Sequence, residues 1–163
     1  MKKAAFVGVF LLFISMNAVA QTTVWQNGFE DGWTGWSTDN GVWQIGAATS
    51  GPGACYEGSQ CAGTVLDGNY PADTDSRLIS YHIVLPTITA PEELHLQFRN
   101  WFLYSNDDYG QVQIAVWDGA SWGGWISAGI GVVDTSAGWF LKDVDLTAYA
   151  GSTIRIAFYH TAD

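Results

Sequence analysis

The chain has 163 residues, of which 13% are charged and 48% are hydrophobic, and its formal net charge is −10. This length is enough for one domain with one hydrophobic core. The excess of acidic over basic side chains disfavours nucleic acid as a partner, because the phosphate backbone would be repelled.

The N-terminal segment has the organisation of a cleavable export signal. Two lysines precede an apolar segment at 4–16 that is short for a membrane span, and a small-x-small motif ends at Ala20. We predict a signal peptide over residues 1–20, a mature chain that begins at Gln21, and a secreted or cell-surface location with no membrane span after signal removal. The mature chain has four basic and sixteen acidic side chains, a net charge of −12.

The composition favours strands and turns over helices. The chain contains nine Trp, seven Tyr, eight Phe and nineteen Gly residues. Large rings supply buried area and glycines supply tight turns, a combination typical of all-β domains. Alternating apolar residues bounded by turn residues predict a series of short strands. In chain order, these are placed at 22–29, 42–45, 61–66, 76–85, 93–104, 111–117, 122–127, 139–146 and 153–159.

The longer predicted strands also indicate which side chains face the core. Their alternating apolar residues are Leu94, Leu96 and Phe98; Val112, Ile114 and Val116; and Ile154, Ile156 and Phe158. Asp118 and Gly119 form a hairpin signal, and the segment 145–151 is expected to make one helical turn that stops at Gly151. We predict a single domain over residues 21–163, an all-β, two-sheet antiparallel β-sandwich of jelly-roll type.

The two cysteines, Cys55 and Cys61, lie in a chain that is predicted to be exported. An oxidising compartment favours a disulfide between them. Two thiolates need further ligands to hold zinc, and His82, His95 and His160 show no ligand spacing around them. A redox role would need a Cys-x-x-Cys spacing. The disulfide is therefore the predicted pairing.

A G-x-S-x-G pattern at 119–123 matches the nucleophile elbow of many hydrolases, which joins a strand to a helix. Here the pattern lies between two predicted strands, so we interpret it as a hairpin turn. None of the three histidines lies in a recognisable triad context. The acidic pairs are more simply turn or solvent-face residues than a glycosidase dyad: Asp107 with Asp108, and Asp143 with Asp145. The sequence therefore predicts a protein that is not an enzyme.

The tryptophans are candidates either for the core or for a ligand site. Trp122, Trp125 and Trp139 lie in or near glycine-rich turns, where exposed rings could stack on the faces of sugars. The alternative is that most of the rings fill the core of a small sandwich. A second candidate group for a ligand site consists of Trp33, Trp36 and Trp43. The remaining three, Trp25, Trp101 and Trp117, fit core or inter-sheet packing more easily.

Five segments of the mature chain resemble one family of extracellular domains. They are NGFEDGW at 27–33, GPGACYEGSQCAGT at 51–64, LDGNY at 66–70, DSRLIS at 75–80 and DLTAYAG at 145–151. The pattern is similar to the MAM-like, "choice-of-anchor J" type jelly rolls of secreted bacterial proteins, which accompany peptidases, adhesins and other surface proteins. The resemblance implies a MAM-like or galactose-binding-like sandwich. Its motifs are specific for fold and weak for function.

The resemblance also implies a missing strand, because similar domains continue beyond the position of Asp163 into a final strand. Residues 21–163 are therefore expected to form a domain that lacks its last strand, a C-terminally incomplete part of a longer protein. Without that strand, a neighbour in the sheet would keep an unpaired edge.

A structural Ca²⁺ ion is the cofactor that the resemblance implies, near the first predicted strand. Glu30 corresponds to a ligand of similar domains, Asp31 is adjacent to it, and Asp75 precedes a strand as a comparable ligand would. Neighbouring strand residues point to opposite faces, so Glu30 and Asp31 can both bind only if the strand has already turned. The alternative is that Asp31 and Asp75 shape turns and that Glu30 is solvated.

These features predict a non-catalytic extracellular module for adhesion, protein contact or substrate targeting, carried by a larger secreted or surface protein. The alternative is a carbohydrate-binding module attached to a secreted hydrolase or peptidase. A flat, exposed strip of rings would favour the carbohydrate, whereas buried, scattered rings would favour a scaffold or a protein contact. The expected partner is an extracellular protein or a glycan.

Overall fold

The computed structural model describes residues 5–16, 19–105, 107–129 and 131–163. They form a two-sheet antiparallel β-sandwich, which confirms the predicted fold class. In chain order, the strands are β1 (Ala5–Met16), β2 (Val19–Asn27), β3 (Trp36–Thr38), β4 (Gln44–Gly46), β5 (Cys61–Gly63), β6 (Thr74–Ser80), β7 (Ile83–Val84), β8 (Glu93–Phe102), β9 (Tyr109–Val116), β10 (Ile126–Ser127), β11 (Phe140–Asp145) and β12 (Thr153–Ala162). A 3-10 helix, Thr147–Tyr149, occupies the predicted helical turn. In the part of the chain described above, no helix is long and apolar enough to cross a membrane.

The first sheet has the strand order β11-β8-β1-β5-β4, and β2 also pairs with β1. The second sheet has the order β10-β9-β12-β6-β3, and β7 pairs with the start of β12. Strands that follow one another in the chain, such as β8 and β9 or β11 and β12, lie in opposite sheets. The connections therefore cross between the layers, as they do in a jelly roll.

The core lies between the sheets, where the inward residues of β8 and β12 face each other. The predicted alternation is confirmed, since the buried residues of these strands include Leu94, Leu96, Phe98, Ile154, Ile156 and Phe158. The rings of Phe98 and Phe158 meet across the layers, with centroids 5.1 Å apart. Every second residue of a long strand is therefore committed to the core, and the residues between them form the outer faces.

Short strands depart from the sequence prediction. The predicted strand 76–85 is divided into β6 and β7, because Tyr81 and His82 leave the sheet between them and are exposed. The strand β3 pairs with β6 in a region predicted to be a loop. Its three residues lie among glycine and polar residues and give no alternation long enough to recognise.

Residues within the predicted signal peptide form part of the first sheet. The strand β1 pairs with β8 on one side and with β5 and β2 on the other. Cleavage after Ala20 would remove β1 and leave that edge of β8 unpaired. The signal peptide, the domain limits and the missing last strand stay predictions.

Candidate functional site

The disulfide loop is anchored to the turn that follows β2. Cys55 and Cys61 are bonded, with Cα atoms 5.6 Å apart, which confirms the predicted disulfide. The backbone N–H groups of Ser59 and Gln60 each donate to Oε1 of Glu30 at 2.9 Å, and the Ser59 hydroxyl donates to Oε2 at 2.5 Å. These hydrogen bonds, that of the hydroxyl first, hold the pKa of Glu30 below its ordinary value. Glu30 thus ties the loop to the turn.

The three predicted calcium ligands are not brought together. The carboxylate of Glu30 accepts protein donors, Oδ1 of Asp75 lies 3.6 Å from Nη1 of Arg77, and Asp31 lies in the turn after β2. No group of three or more His, Cys, Asp or Glu residues suited to a metal ion occurs within the described ranges. In this arrangement the three residues do not fit a calcium ion, which needs a shell of oxygen ligands. The calcium site stays a prediction.

His95 is held between two carboxylates. Its Nδ1 lies 2.6 Å from Asp143 and its Nε2 lies 3.1 Å from Glu93. Burial alone would lower the pKa of His95, but the hydrogen bonds to Asp143 and Glu93 outweigh it and raise the pKa. With both ring nitrogens directed at carboxylates, His95 has no nitrogen left to activate a hydroxyl nucleophile.

A buried polar cluster links β12 to two loops. The Tyr70 hydroxyl donates to Oδ2 of Asp108 at 2.7 Å and accepts the N–H of Ser105 at 3.0 Å. His160 is fully buried, with Nε2 3.0 Å from the Thr74 hydroxyl. Burial lowers the pKa of His160 to about 4 and raises that of Tyr70 to about 12. Because these groups satisfy one another away from solvent, we interpret the cluster as structural.

One cavity between the sheets is too small for a substrate, since its volume is about 30 Å³, room for one or two water molecules. Its described lining includes Asn100, Tyr104 and Lys142 but no carboxylate or histidine. An acid–base reaction needs convergent ionisable groups around a site of substrate size, and this cavity offers neither.

The second candidate group of tryptophans is mostly buried. Trp36 and Trp43 belong to the core, which favours the core interpretation over the ligand interpretation for both. Trp33 is exposed. Trp101 is buried, as its interpretation required, whereas Trp117 is 38% exposed, so its assignment to the core is wrong.

An exposed ring and a half-buried ring meet on the outer face of the second sheet. The hairpin between β9 and β10 places Trp122 against Trp117, with ring centroids 5.3 Å apart and an angle of 57° between the planes. Asp118 closes the turn by accepting two backbone N–H groups of the hairpin, at 2.8 and 2.7 Å. The interpretation of 119–123 as a hairpin turn, not a nucleophile elbow, is confirmed.

Two arginines lie on the same face, each over an aromatic ring. The guanidinium carbon of Arg77 on β6 lies 4.4 Å from the ring centroid of Tyr159 and 5.9 Å from that of Trp125. The guanidinium carbon of Arg155 on β12 lies 4.2 Å from the ring centroid of Trp122. The predicted residues Trp122 and Trp125 therefore share one surface. We call it the aromatic–arginine face, comprising Arg77, Trp117, Trp122, Trp125, Arg155 and Tyr159.

Trp139 lies apart, beside the first sheet. It packs against the cluster that contains Trp101, and its ring centroid lies 6.2 Å from that of Tyr56. Arg99 stacks over Tyr56 at 4.4 Å. The three tryptophans predicted as one ligand platform are thus divided between two surfaces.

Four members of the aromatic–arginine face were missed from the sequence: Arg77, Trp117, Arg155 and Tyr159. Alternation carries the signal for all four, since each has the opposite parity to buried residues of the same segment, such as Leu78, Ile114 and Ile156. Alternation alone does not show that the β9–β10 hairpin folds Trp122 over the guanidinium. That contact depends on the sheet order.

The chain is similar to a region of a peptidase. Over 147 residues, 87% of this chain, it is 33% identical to Bacillopeptidase F of Bacillus subtilis (strain 168). The matched region is 10% of that protein, so this chain spans about a tenth of its length. No protein-family model matches the chain, and no solved structure matches it.

Proposed function

We propose that this chain is a non-catalytic extracellular module that brings a larger, peptidase-type protein to its substrate or to a surface. The observation that carries the proposal is the match of 87% of the chain to 10% of Bacillopeptidase F. An accessory role is the economical interpretation of such a match, because the other nine-tenths of the relative can hold its catalytic machinery.

The described residues support a role by contact. His95 and Glu30 are committed to protein partners, and the cavity between the sheets is of water size. The disulfide fits an oxidising compartment outside the cytoplasm. Rings and guanidinium groups are instead displayed on an outer face, where a macromolecule can reach them.

A domain exchange tests the proposal. In Bacillopeptidase F, the region that matches this chain is either deleted or replaced by the mature chain. We expect parent, deletion and exchange to cleave a small soluble peptide at equal rates, because the module does not contribute to the chemistry. Cleavage of an insoluble protein should fall on deletion and recover on exchange. A deletion that cleaves both substrates as the parent does would contradict targeting, and cleavage by the isolated chain would contradict a non-catalytic role.

A carbohydrate-binding module is the second candidate. The contact between the exposed Trp117 and the half-buried Trp122 favours it, since apolar ring faces stack on sugars. A glycan array with the purified chain tests this candidate, with Trp122→Ala and Trp125→Ala as variants. Binding that both variants weaken would support it, and an array without any bound glycan would exclude it.

A further inference from the structure

We infer that the aromatic–arginine face holds a binding site for a carboxylate-bearing pyranose, a uronic acid residue, with Arg155 as the group that receives the carboxylate. The inference rests on the proposed role of the chain as a contact module and gives one ligand of that module a chemical class.

Arg155 has no carboxylate partner in the described part of the protein. It projects outward from β12 between the buried Ile154 and Ile156 and stacks over Trp122. Its Nε is buried and has no protein hydrogen-bond partner, and none of the described ion pairs includes Arg155. A ligand from solvent cannot reach this Nε, so the two Nη groups, which are not among the buried unpartnered atoms, are the donors left for a ligand.

Arg77 shows a satisfied guanidinium on the same face. Its Nη1 lies 3.0 Å from Asp39 and 3.6 Å from Asp75, and its Nε donates to Gln113 at 2.8 Å. In a mature chain with four basic and sixteen acidic side chains, a guanidinium without such a partner is unexpected. The two oxygens of a carboxylate match the paired N–H donors of a guanidinium, so a carboxylate is the ligand group that Arg155 selects.

The surroundings of Arg155 suit a sugar ring better than a bare anion. Its register neighbour on β9 is Ala115, whose small side chain leaves space for the guanidinium above the sheet. Trp117 is 38% exposed beside Trp122 and offers an apolar surface to the C–H face of a pyranose. Asp118, the acidic residue next to these rings, accepts hydrogen bonds from the backbone of its own turn, so its carboxylate is not paired with Arg155.

The net charge of the mature chain limits the size of the ligand. The full chain has a formal net charge of −10 and the predicted mature chain −12, so either repels polyanions, over about a Debye length, roughly 8 Å at physiological salt. A carboxylate at the arginine is favoured, whereas each further carboxylate beyond it meets an acidic surface. The site is therefore expected to take a short uronate oligosaccharide or the end of a chain, not the middle of an acidic polymer.

Isothermal titration calorimetry of the purified protein tests the inference, with trigalacturonate and its fully methyl-esterified form as probes. Esterification removes the charge and keeps the rings, so we expect the ester to bind roughly tenfold more weakly, the cost of one charge-assisted contact. Arg155→Gln should weaken trigalacturonate binding by a similar factor and leave ester binding unchanged. Arg99→Gln is the matched control, because Arg99 stacks on Tyr56 beside the other sheet and should bind like the parent.

Several outcomes would overturn the inference. These are equal affinity for acid and ester, no binding of trigalacturonate, or equal weakening by Arg155→Gln and Arg99→Gln. Triglutamate is a third probe, and if it binds as tightly as trigalacturonate the site recognises carboxylates without the sugar. Arg155→Lys, which keeps the charge and loses the paired donors, provides a second variant if Arg155→Gln does not fold. The domain exchange measures the cleavage of insoluble protein and does not depend on uronate binding. A negative calorimetry result would therefore overturn the uronate site without overturning the proposed contact role.

Discussion

At His160, burial makes stability depend on pH. The ring packs against Tyr70 and Thr74 without solvent contact, and burial lowers its pKa from 6.5 to about 4. Between these values the unfolded chain binds a proton that the folded chain does not, so the free energy of unfolding falls as the pH drops below 6.5. The full loss is about 3 kcal/mol once the folded pKa is passed. Urea unfolding curves at a series of pH values between neutral and the folded pKa measure it.

His95 supplies a control of opposite sign. Its pKa is raised, so its contribution to stability is present below the unfolded value of 6.5 and is lost as the pH rises through the folded value. His160→Gln, which retains a hydrogen-bonding group near Thr74, is expected to reduce the acid loss. His95→Gln is expected to leave that loss in place. If His160→Gln showed the parent's acid slope, the effect would belong to another group.

Gly58 is a position in the disulfide loop that requires glycine. Its φ is +70°, and a Cβ at this position would collide with the Glu30 carboxylate. We expect Gly58→Ala to lower the melting temperature, through about 1 kcal/mol of left-handed strain and through displacement of Glu30. Gly53→Ala is the matched control, since Gly53 has a φ of +75° and open space around its Cβ. If the two variants lowered the melting temperature equally, backbone strain alone would explain the effect and the displacement of Glu30 would contribute nothing.

Site residues could be predicted where the neighbouring sequence carries the information. The pairing of Cys55 with Cys61 follows from their count and predicted compartment, and the turn context of Trp122 indicated a ring outside the core, which is half-buried beneath Arg155. The hydrogen bonds that Glu30 accepts could not be predicted, because their donors lie 29 and 30 residues further along the chain. A carboxylate in a turn has the same local sequence whether it accepts backbone N–H groups or binds a cation.

At the level of elements, the disulfide loop contributes to stability separately from the sheets. The Cys55–Cys61 bond joins residues six apart in sequence and closes a small loop beside β5. The chain-entropy model gives it about 2 kcal/mol. The double variant Cys55→Ala with Cys61→Ala is expected to lose that free energy of unfolding in urea titrations. A double variant as stable as the parent would show that the Glu30 hydrogen bonds hold the loop without the bond.

Long strands with alternating apolar and polar residues could be predicted from the sequence. Short strands that are defined only by pairing with a neighbouring strand could not. The strands β8, β9 and β12 bury every second residue along most of their length, as their sequences indicate. By contrast, β3 and β7 have three and two residues and are defined by pairing with β6 and β12. Their backbone hydrogen bonds come from the neighbour, and no local pattern records them.

At the level of the whole molecule, the class of the fold could be predicted but the composition of its outer faces could not. The aromatic–arginine face exists because β6, β12 and β9 are adjacent, which places Arg77 opposite Tyr159 and Arg155 opposite Ala115. Sheet order is set by packing between layers over the whole chain. The proposed site at Arg155 therefore depends on the sheet order, because no single strand contains a sequence pattern that indicates it.

Removal of the predicted signal peptide is expected to change the first sheet more than the second. The pairing of β1 with β8 runs from Ser15 opposite Glu93 to Ala5 opposite Phe102, so a chain that begins at Gln21 leaves this edge of β8 open. We expect the β8 amides that face β1 to exchange faster with solvent in the shortened chain, and the open edge to promote self-association. Hydrogen exchange followed by NMR, together with sedimentation over a range of concentrations, measures both effects.

The second sheet provides the internal control for that comparison. The strand β12 keeps β9 and β6 as neighbours in both chains, so its amides should stay equally protected. Faster exchange in β12 as well would mean that the whole sandwich loosens and that β1 stabilises both layers. Equal protection of β8 in the two chains would mean that its edge is covered without β1. The contribution of the N-terminal strand to the fold is thus decided by comparing two strands of one molecule.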